Sequence, residues 1–356
     1  METVTTPKIK TLRSPSTRIH EVDFTNLPFG RIFSDHMLVA DCKDGSWSEP
    51  QIVPFGTIPV LPCMTSLHYG QAIFEGMKAF KQPNGNAVLF RPEENYARMN
   101  HSAWRLCMPE VPHEIFVDGM KELVQLDNQW IPRTEGSALY IRPFMFATDE
   151  YVGIKPSDNY KFIIFSCPVG AYYPEPVALW VSRNFVRAVE GGTGEAKAAG
   201  NYAGGLIGQK RAKKRGYHSV LWLDAQSRKY VEECGTMNIF FVIDGVLITP
   251  ELTGTILKGV TRDSILTLAK GLGIPAEVRR IKIKEIQAAW QQGRLQEAFG
   301  TGTAAVISHV VKIGYRKIVM ELPPVEERKI GNALLAKLND IRMGRVEDEH
   351  QWIVKV

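Results

Sequence analysis

Two hydrophobic rhythms alternate along the chain. Between Glu93 and Met108 the apolar positions Tyr96, Met99, Ala103 and Leu106 recur every three or four residues, which predicts a helix with one buried stripe. His113 to Asp127 repeats the spacing through Phe116, Met120, Leu123 and Leu126. Other runs are continuous or alternate every second residue and predict strands: Met37-Leu-Val-Ala40, Asn86 to Pro92, Ser137 to Pro143 and Tyr160 to Pro168. Gly170-Ala-Tyr-Tyr-Pro-Glu-Pro176 breaks all periodicity and marks a domain boundary. The expectation is a smaller N-terminal α/β domain over 1–173 and a larger C-terminal α/β domain over 174–356. In the second, strands (178–182, 218–223, 238–243, 246–249) alternate with helices (204–215, 261–271, 284–291). The turn Ile243-Asp-Gly-Val246 reads as a hairpin, so the α/β fold carries mixed sheets with flanking helices.

Length and composition narrow the class. At 356 residues the chain can form two domains, and 44% hydrophobic with 23% charged residues is ordinary for a globular protein. No apolar stretch reaches 18 residues and the start lacks an apolar leader, so no membrane partner is expected and the location reads as cytoplasmic. Cys42, Cys63, Cys107, Cys167 and Cys234 form no C-x-x-C, against a disulfide framework or a zinc site, and no metal is expected. The net charge of +5 is modest. The one dense basic run, Lys210 to Arg215, has no interleaved aromatics and reads as a solvated helix face; no nucleic-acid partner is expected.

Candidate chemistry gathers around Gly191-Gly-Thr-Gly-Glu-Ala-Lys197-Ala-Ala-Gly-Asn-Tyr202. Small residues allow close approach, so Lys197 can enter a cavity, although the stretch alone is equally readable as a flexible linker with a solvated lysine. Arg142 shares a strand face with Tyr140 by the two-residue period and should edge the sheet or meet an anion. Glu233 precedes an apolar strand and can point into a cleft, with adjacent Glu232 expected on the opposite, exposed face. Gly259, Val260 and Thr261 open a helix and so form an anion-binding start. Phe299-Gly-Thr-Gly-Thr-Ala-Ala305 is a second anion-type turn. Its Gly300-x-Gly302-x-x-Ala305 spacing matches the dinucleotide fingerprint, but β-branched residues follow where a helix is required. A lysine, an acid, a phosphate-type helix start and a tyrosine are the parts a pyridoxal phosphate enzyme needs.

The order of these motifs resembles the branched-chain amino acid aminotransferases of the fold-type IV pyridoxal phosphate family. The resemblance runs from about Phe29 to Gly344. It rests on Leu67-His-Tyr with Phe74-Glu-Gly-Met-Lys-Ala-Phe, Arg98-Met, Leu139-Tyr-Ile-Arg-Pro, Cys167-Pro-Val-Gly-Ala-Tyr, Lys197 with Gly200-Asn-Tyr, Glu233-Cys-Gly-Thr-Met-Asn, Gly259-Val-Thr-Arg and Gly300-Thr-Gly-Thr-Ala. It implies a two-domain homodimer with pyridoxal 5′-phosphate between the domains, exchanging amino groups between leucine, isoleucine or valine and 2-oxoglutarate. Lys197 would be the Schiff-base lysine, Glu233 the partner of the ring nitrogen and Tyr202 that of the phenolic oxygen. Arg98, Val260, Thr261 and Thr303 would hold the phosphate. Thr303 and Ala304 would take the substrate α-carboxylate. Phe29, Tyr69, Phe74, Tyr172 and Met237 would wall an apolar pocket, with Val152 and Ile154 arriving from a second subunit, and Arg142 with Tyr140 would accept the second carboxylate of the acidic substrate. Animal members carry C-x-x-C after the carboxylate loop; here those positions are Ala305 and Ser308. A D-amino acid aminotransferase, an aminodeoxychorismate lyase and a non-catalytic pyridoxal-binding protein would share Lys197 and Glu233, and stay open at this point.

Overall fold

The computed structural model describes residues 9–170 and 175–356. The chain divides into two compact units, Met1–Tyr172 with Ala196–Ala199 and Ile341–Val356, and Tyr173–Glu195 with Gly200–Asp340. Two pieces assigned above to the second domain thus belong to the first unit and make it the larger. Chain pairing gives the reason: strand Ile353–Lys355 adds to the Ala87–Phe90 edge, and Ala198 bridges to Ile73.

The first unit is built on a ten-stranded sheet centred on the neighbours His36–Lys43, Asn159–Val169, Ala138–Ala147 and Met77–Lys81, all antiparallel. Helices Pro92–Arg105 and Gly119–Leu126 cover one face, where Met99, Ala103, Phe116, Met120 and Leu123 pack on Leu38, Leu139, Ile141 and Phe162. Both apolar stripes read from the sequence are therefore in the core. Alternation along Ala138–Ala147 sends Leu139 and Ile141 into this core and turns Tyr140 and Arg142 to the other face. Pro92 does more than end a strand. The strand stops at Phe90 and the proline opens the helix, where its missing N–H costs nothing.

The second unit holds a nine-stranded mixed sheet. Val177–Val181 pairs in parallel with Ser219–Leu223 and with Val306–Tyr315, whereas Met237–Ile243 pairs antiparallel with Leu295–Gly302. Val231–Cys234 bonds both Ser219–Leu223 and Met237–Ile243, so six strands close on themselves and lose their edges. The hairpin at Asp244-Gly245 is present, with φ of 53° and 77° as a two-residue turn of the primed type requires. Helix Ala199–Lys214 begins five residues before the predicted Gly204. One of its glycines is explained by close approach: a Cβ on Gly208 would stand 2.6 Å from the Trp222 ring. Lys210, Arg211 and Lys213 to Arg215 are exposed, as a solvated face demands.

Candidate active site

In the first unit Lys197 is fixed through its backbone. Its N–H donates to Ser102 Oγ at 3.0 Å, its carbonyl accepts from Phe74 N–H at 3.1 Å, and Ser102 Oγ in turn donates to the Arg98 carbonyl at 2.9 Å. The stretch around Lys197 is thereby tied to a strand and a helix instead of behaving as a linker. The Lys197 amine stands 4.7 Å from the centre of the Phe74 ring, and the Arg142 guanidinium stands 4.7 Å from the same ring. Arg142 Nη2 donates to the Tyr140 hydroxyl at 2.9 Å, and Phe29 meets Tyr140 edge-on at 5.1 Å. Gly76 makes room for this arrangement, since a Cβ there would lie 2.1 Å from the Tyr140 hydroxyl oxygen. Among the described residues Arg142 Nε is buried with no hydrogen-bond partner, a donor suited to an anionic ligand.

Arg98 is not solvated, although it lies off its helix stripe. Its side chain is 9% exposed, and Nε and Nη2 grip the two oxygens of Glu75 at 2.7 and 2.8 Å. Glu75 is fully buried. Burial alone would raise its pKa, but the charge and hydrogen bonds of Arg98, the charge of Lys197 and the Asn95 amide outweigh that and hold it below the usual carboxylate range.

In the second unit Glu233 is 2% exposed. Leu257 N–H donates to its Oε1 at 2.9 Å, Asn238 Nδ2 donates to the same oxygen at 3.4 Å, and Arg187 Nε lies 2.5 Å from Oε2. Arg187 also donates to the carbonyls of Thr255 and Gly194, at 2.7 and 3.0 Å. Glu232 corrects the expectation of an exposed face: it is 7% exposed and accepts from Thr255 Oγ1 at 2.6 Å, and burial raises its pKa. The two side chains do point apart. Each direction leads into packed protein, Glu232 to Thr255 and Glu233 to Leu257, Asn238 and Arg187.

Helix Val260–Gly271 opens at Gly259, which has no side chain to cap it; Val260 and Thr261 are buried at its first turn. A Cβ on Gly259 would meet Asn238 Oδ1 at 1.9 Å, so glycine is demanded by the contact. Thr303 and Ala304 sit half-buried in the turn joining Leu295–Gly302 to Val306–Tyr315. That turn ends on Val306 at φ 61°, a left-handed conformation costly for a β-branched residue, which marks a backbone shape held against local preference. Met237 is buried against Gly300, whose Cβ would lie 2.7 Å from its methyl. Tyr202, half-buried, lies in the first turn of its helix. Tyr69, Val152 and Ile154 are 43%, 67% and 89% exposed. Tyr172 lies outside the described residues.

The structure thus groups Phe29, Phe74, Tyr140, Arg142 and Lys197 in the first unit, and Glu233, Met237, Val260 and Thr261 in the second. Sequence reading passed over Glu75, Ser102, Arg187 and Asn238. A buried arginine demands an acid, but nothing in the helix pattern showed that Arg98 is buried, and Glu75 stood within a motif read only for its aromatic. Arg187 and Ser102 gave no local signal. The donor set suits pyridoxal phosphate: a fixed primary amine, a buried carboxylate braced by arginine, an uncapped helix start and an orphaned guanidinium nitrogen.

The family model described as amino-transferase class IV matches residues 72–313, and this chain belongs to that family. It is 45% identical over 345 residues to branched-chain-amino-acid aminotransferase 2 of Bacillus subtilis, covering 96% of this chain and 95% of that one. It is 47% identical over 339 residues to a probable branched-chain-amino-acid aminotransferase of Staphylococcus epidermidis, covering 94% of each. The solved branched-chain aminotransferase of Thermoproteus uzoniensis with norvaline superposes at a TM-score of 0.76 and 27% identity, over 90% of this chain and 99% of that one. A branched-chain amino acid aminotransferase from T.th., complexed with N-(5′-phosphopyridoxyl)-L-glutamate, superposes at 0.71 and 27% identity, over 88% and 97%.

Proposed function

We infer that this protein is a pyridoxal 5′-phosphate-dependent branched-chain amino acid aminotransferase. It moves the amino group of leucine, isoleucine or valine reversibly to 2-oxoglutarate in two half-reactions. One observation carries the site assignment: the Lys197 amine and the Arg142 guanidinium share the Phe74 ring, so a carboxylate-bearing substrate held at the lysine has an anion-binding side chain beside it.

The cofactor, when bound, supplies a ring that accepts the electrons left behind as the substrate Cα loses its proton. The chain's residues do the rest. Lys197 anchors the cofactor and then carries the proton to and from the substrate Cα. Glu233, braced by Arg187 and the Leu257 N–H, holds a proton on the ring nitrogen. Tyr202 bonds the phenolic oxygen. Arg98, Thr303 and the first N–H groups of the Val260–Gly271 helix hold the phosphate, and the Thr303 and Ala304 N–H groups take the α-carboxylate. Phe29, Tyr69, Phe74, Tyr172 and Met237 exclude water from an aliphatic side chain. Arg142 turns from the Tyr140 hydroxyl to the second carboxylate when glutamate or 2-oxoglutarate enters. The protein works as a homodimer, in which the exposed Val152 and Ile154 complete the partner's pocket, and five free cysteines support a cytoplasmic location. Among the described residues no helix is long and apolar enough to cross a membrane.

The visible spectrum tests this reading. Leucine should bleach the cofactor band and 2-oxoglutarate should restore it. A band indifferent to leucine would leave a binding protein without transaminase activity. Lys197→Ala should lower turnover by about 10⁴-fold or more, the scale expected when a covalent anchor is lost; borohydride labelling of another lysine would remove the assignment.

A further inference from the structure

Glu75 has no place in the chemistry above, yet it is the most completely enclosed carboxylate near Lys197. Four donors converge on it: Arg98 Nε on Oε1 at 2.7 Å, and Arg98 Nη2, Asn95 Nδ2 and the Gly76 N–H on Oε2 at 2.8, 2.8 and 3.1 Å. A carboxylate so saturated is poorly placed to exchange protons with a substrate. It is well placed to fix a guanidinium, because the two-pronged grip sets the plane of Arg98 as well as its position.

The backbone beside Glu75 serves the lysine. Phe74 N–H donates to the Lys197 carbonyl, Ile73 bridges to Ala198, and Glu75 N–H donates to the Pro143 carbonyl at 2.7 Å. Residues 73–75 therefore hold Lys197 through their main chain and Arg98 through one side chain. We propose that Glu75 is a positioning residue which, by gripping Arg98, gives the enzyme its preference for a phosphorylated cofactor and keeps that phosphate in register with Lys197. This rests on the assignment of Arg98 to the phosphate.

Glu75→Gln isolates the effect. The shape is kept, but all four contacts come from donors, so either orientation of the amide sets an NH₂ group against one of them. Arg98 then loses an arm of its support. The readout is the ratio of affinities for pyridoxal 5′-phosphate and for unphosphorylated pyridoxal, titrated on the full chain, with a thermal melt to show that each variant is folded. Glu75→Gln should lower the ratio at least about tenfold, the scale of one charge-assisted hydrogen bond, while pyridoxal itself binds within about threefold of wild type. Glu75→Asp, which keeps the charge but withdraws it by one methylene, should give an intermediate loss. Asn95→Ala removes one brace from Oε2 without touching Arg98 and should lower the ratio about threefold; it and Glu75→Asp carry the test if the glutamine variant does not fold.

Arg98→Lys separates the two layers. If it destroys the phosphate preference while the folded Glu75 variants keep theirs, Glu75 is not the positioning residue. Equal weakening of both ligands would likewise overturn the proposal, because that is what a merely structural glutamate would do. If Arg98→Lys keeps the preference, the assignment of Arg98 fails and the proposal falls with it.

Discussion

Each unit buries a glutamate against an arginine, and the two pairs are built for different ends. Glu75 in the first unit is held by both prongs of Arg98 and is closed in by Asn95 and its own neighbour's N–H. Glu233 in the second unit meets Arg187 at Nε as well as the Leu257 N–H and the Asn238 amide, while the other arms of that arginine reach main-chain carbonyls at Thr255 and Gly194. In the first pair, on the proposed assignment of Arg98 to the phosphate, the acid serves the arginine. In the second the arginine serves the acid. A buried ion pair contributes little net stability by itself, so what distinguishes the pairs is which partner is left to act.

The largest expected effect comes from breaking the second pair at its acting end. Glu233→Gln keeps the shape and removes the charge; breaking a buried pair from one side costs about 3–5 kcal/mol, and kcat should fall about 10²–10³-fold. Steady-state kinetics check this, and a value within threefold of wild type would take Glu233 out of the site.

The first unit also buries a lysine. Burial, followed by repulsion from Arg342, lowers Lys78 to about 7. Between about pH 7 and the ordinary lysine value the unfolded chain carries a proton that the folded chain has released. Stability should therefore rise with pH over that window, by up to about 1.4 kcal/mol per unit, and the contribution should be flat below it. Urea unfolding of wild type and Lys78→Met at pH 7, 8 and 9 isolates it: equal slopes would clear Lys78.

Glu232 sharpens the contrast with its neighbour. Glu232→Ala should cost about 1–3 kcal/mol of stability by leaving the Thr255 hydroxyl without its acceptor, against about 0.5 for an exposed position, with turnover changed less than about tenfold. Thermal melts and kinetics on one preparation separate the two. A melt unchanged from wild type would return Glu232 to the surface.

The smallest effect is an expected absence. Burial and the charge of Glu233 push the Cys234 thiol up, so it stays protonated and unreactive, and Ala305 and Ser308 provide no dithiol beside the carboxylate turn. Mild peroxide should leave activity unchanged. A loss restored by a thiol reductant would contradict this.

Much of the candidate set was legible in the sequence, because the proposed chemistry asks for residue types at fixed order: Lys197 among small residues, Glu233 before its strand, a glycine at a helix start. The helices of the first unit were legible too, since an apolar stripe has only one way to be buried. Periodicity assigns a face without saying what covers it. Glu232 and Glu233 do point apart, but only what packs over each, Thr255 on one and Leu257 with Arg187 on the other, decided that neither direction is solvent. Likewise the early start of the Ala199–Lys214 helix was hidden by Gly200 and Gly204, which disfavour helix locally and have open space about them; Trp222 demands glycine only further along, at Gly208. The sequence by itself determined which side chains are candidates for the chemistry. Only tertiary structure decided which ones hold them in place, because Glu75 and Ser102 act through contacts with Arg98 and Lys197 that lie 23 and 95 residues away along the chain, and no local pattern encodes such a pairing.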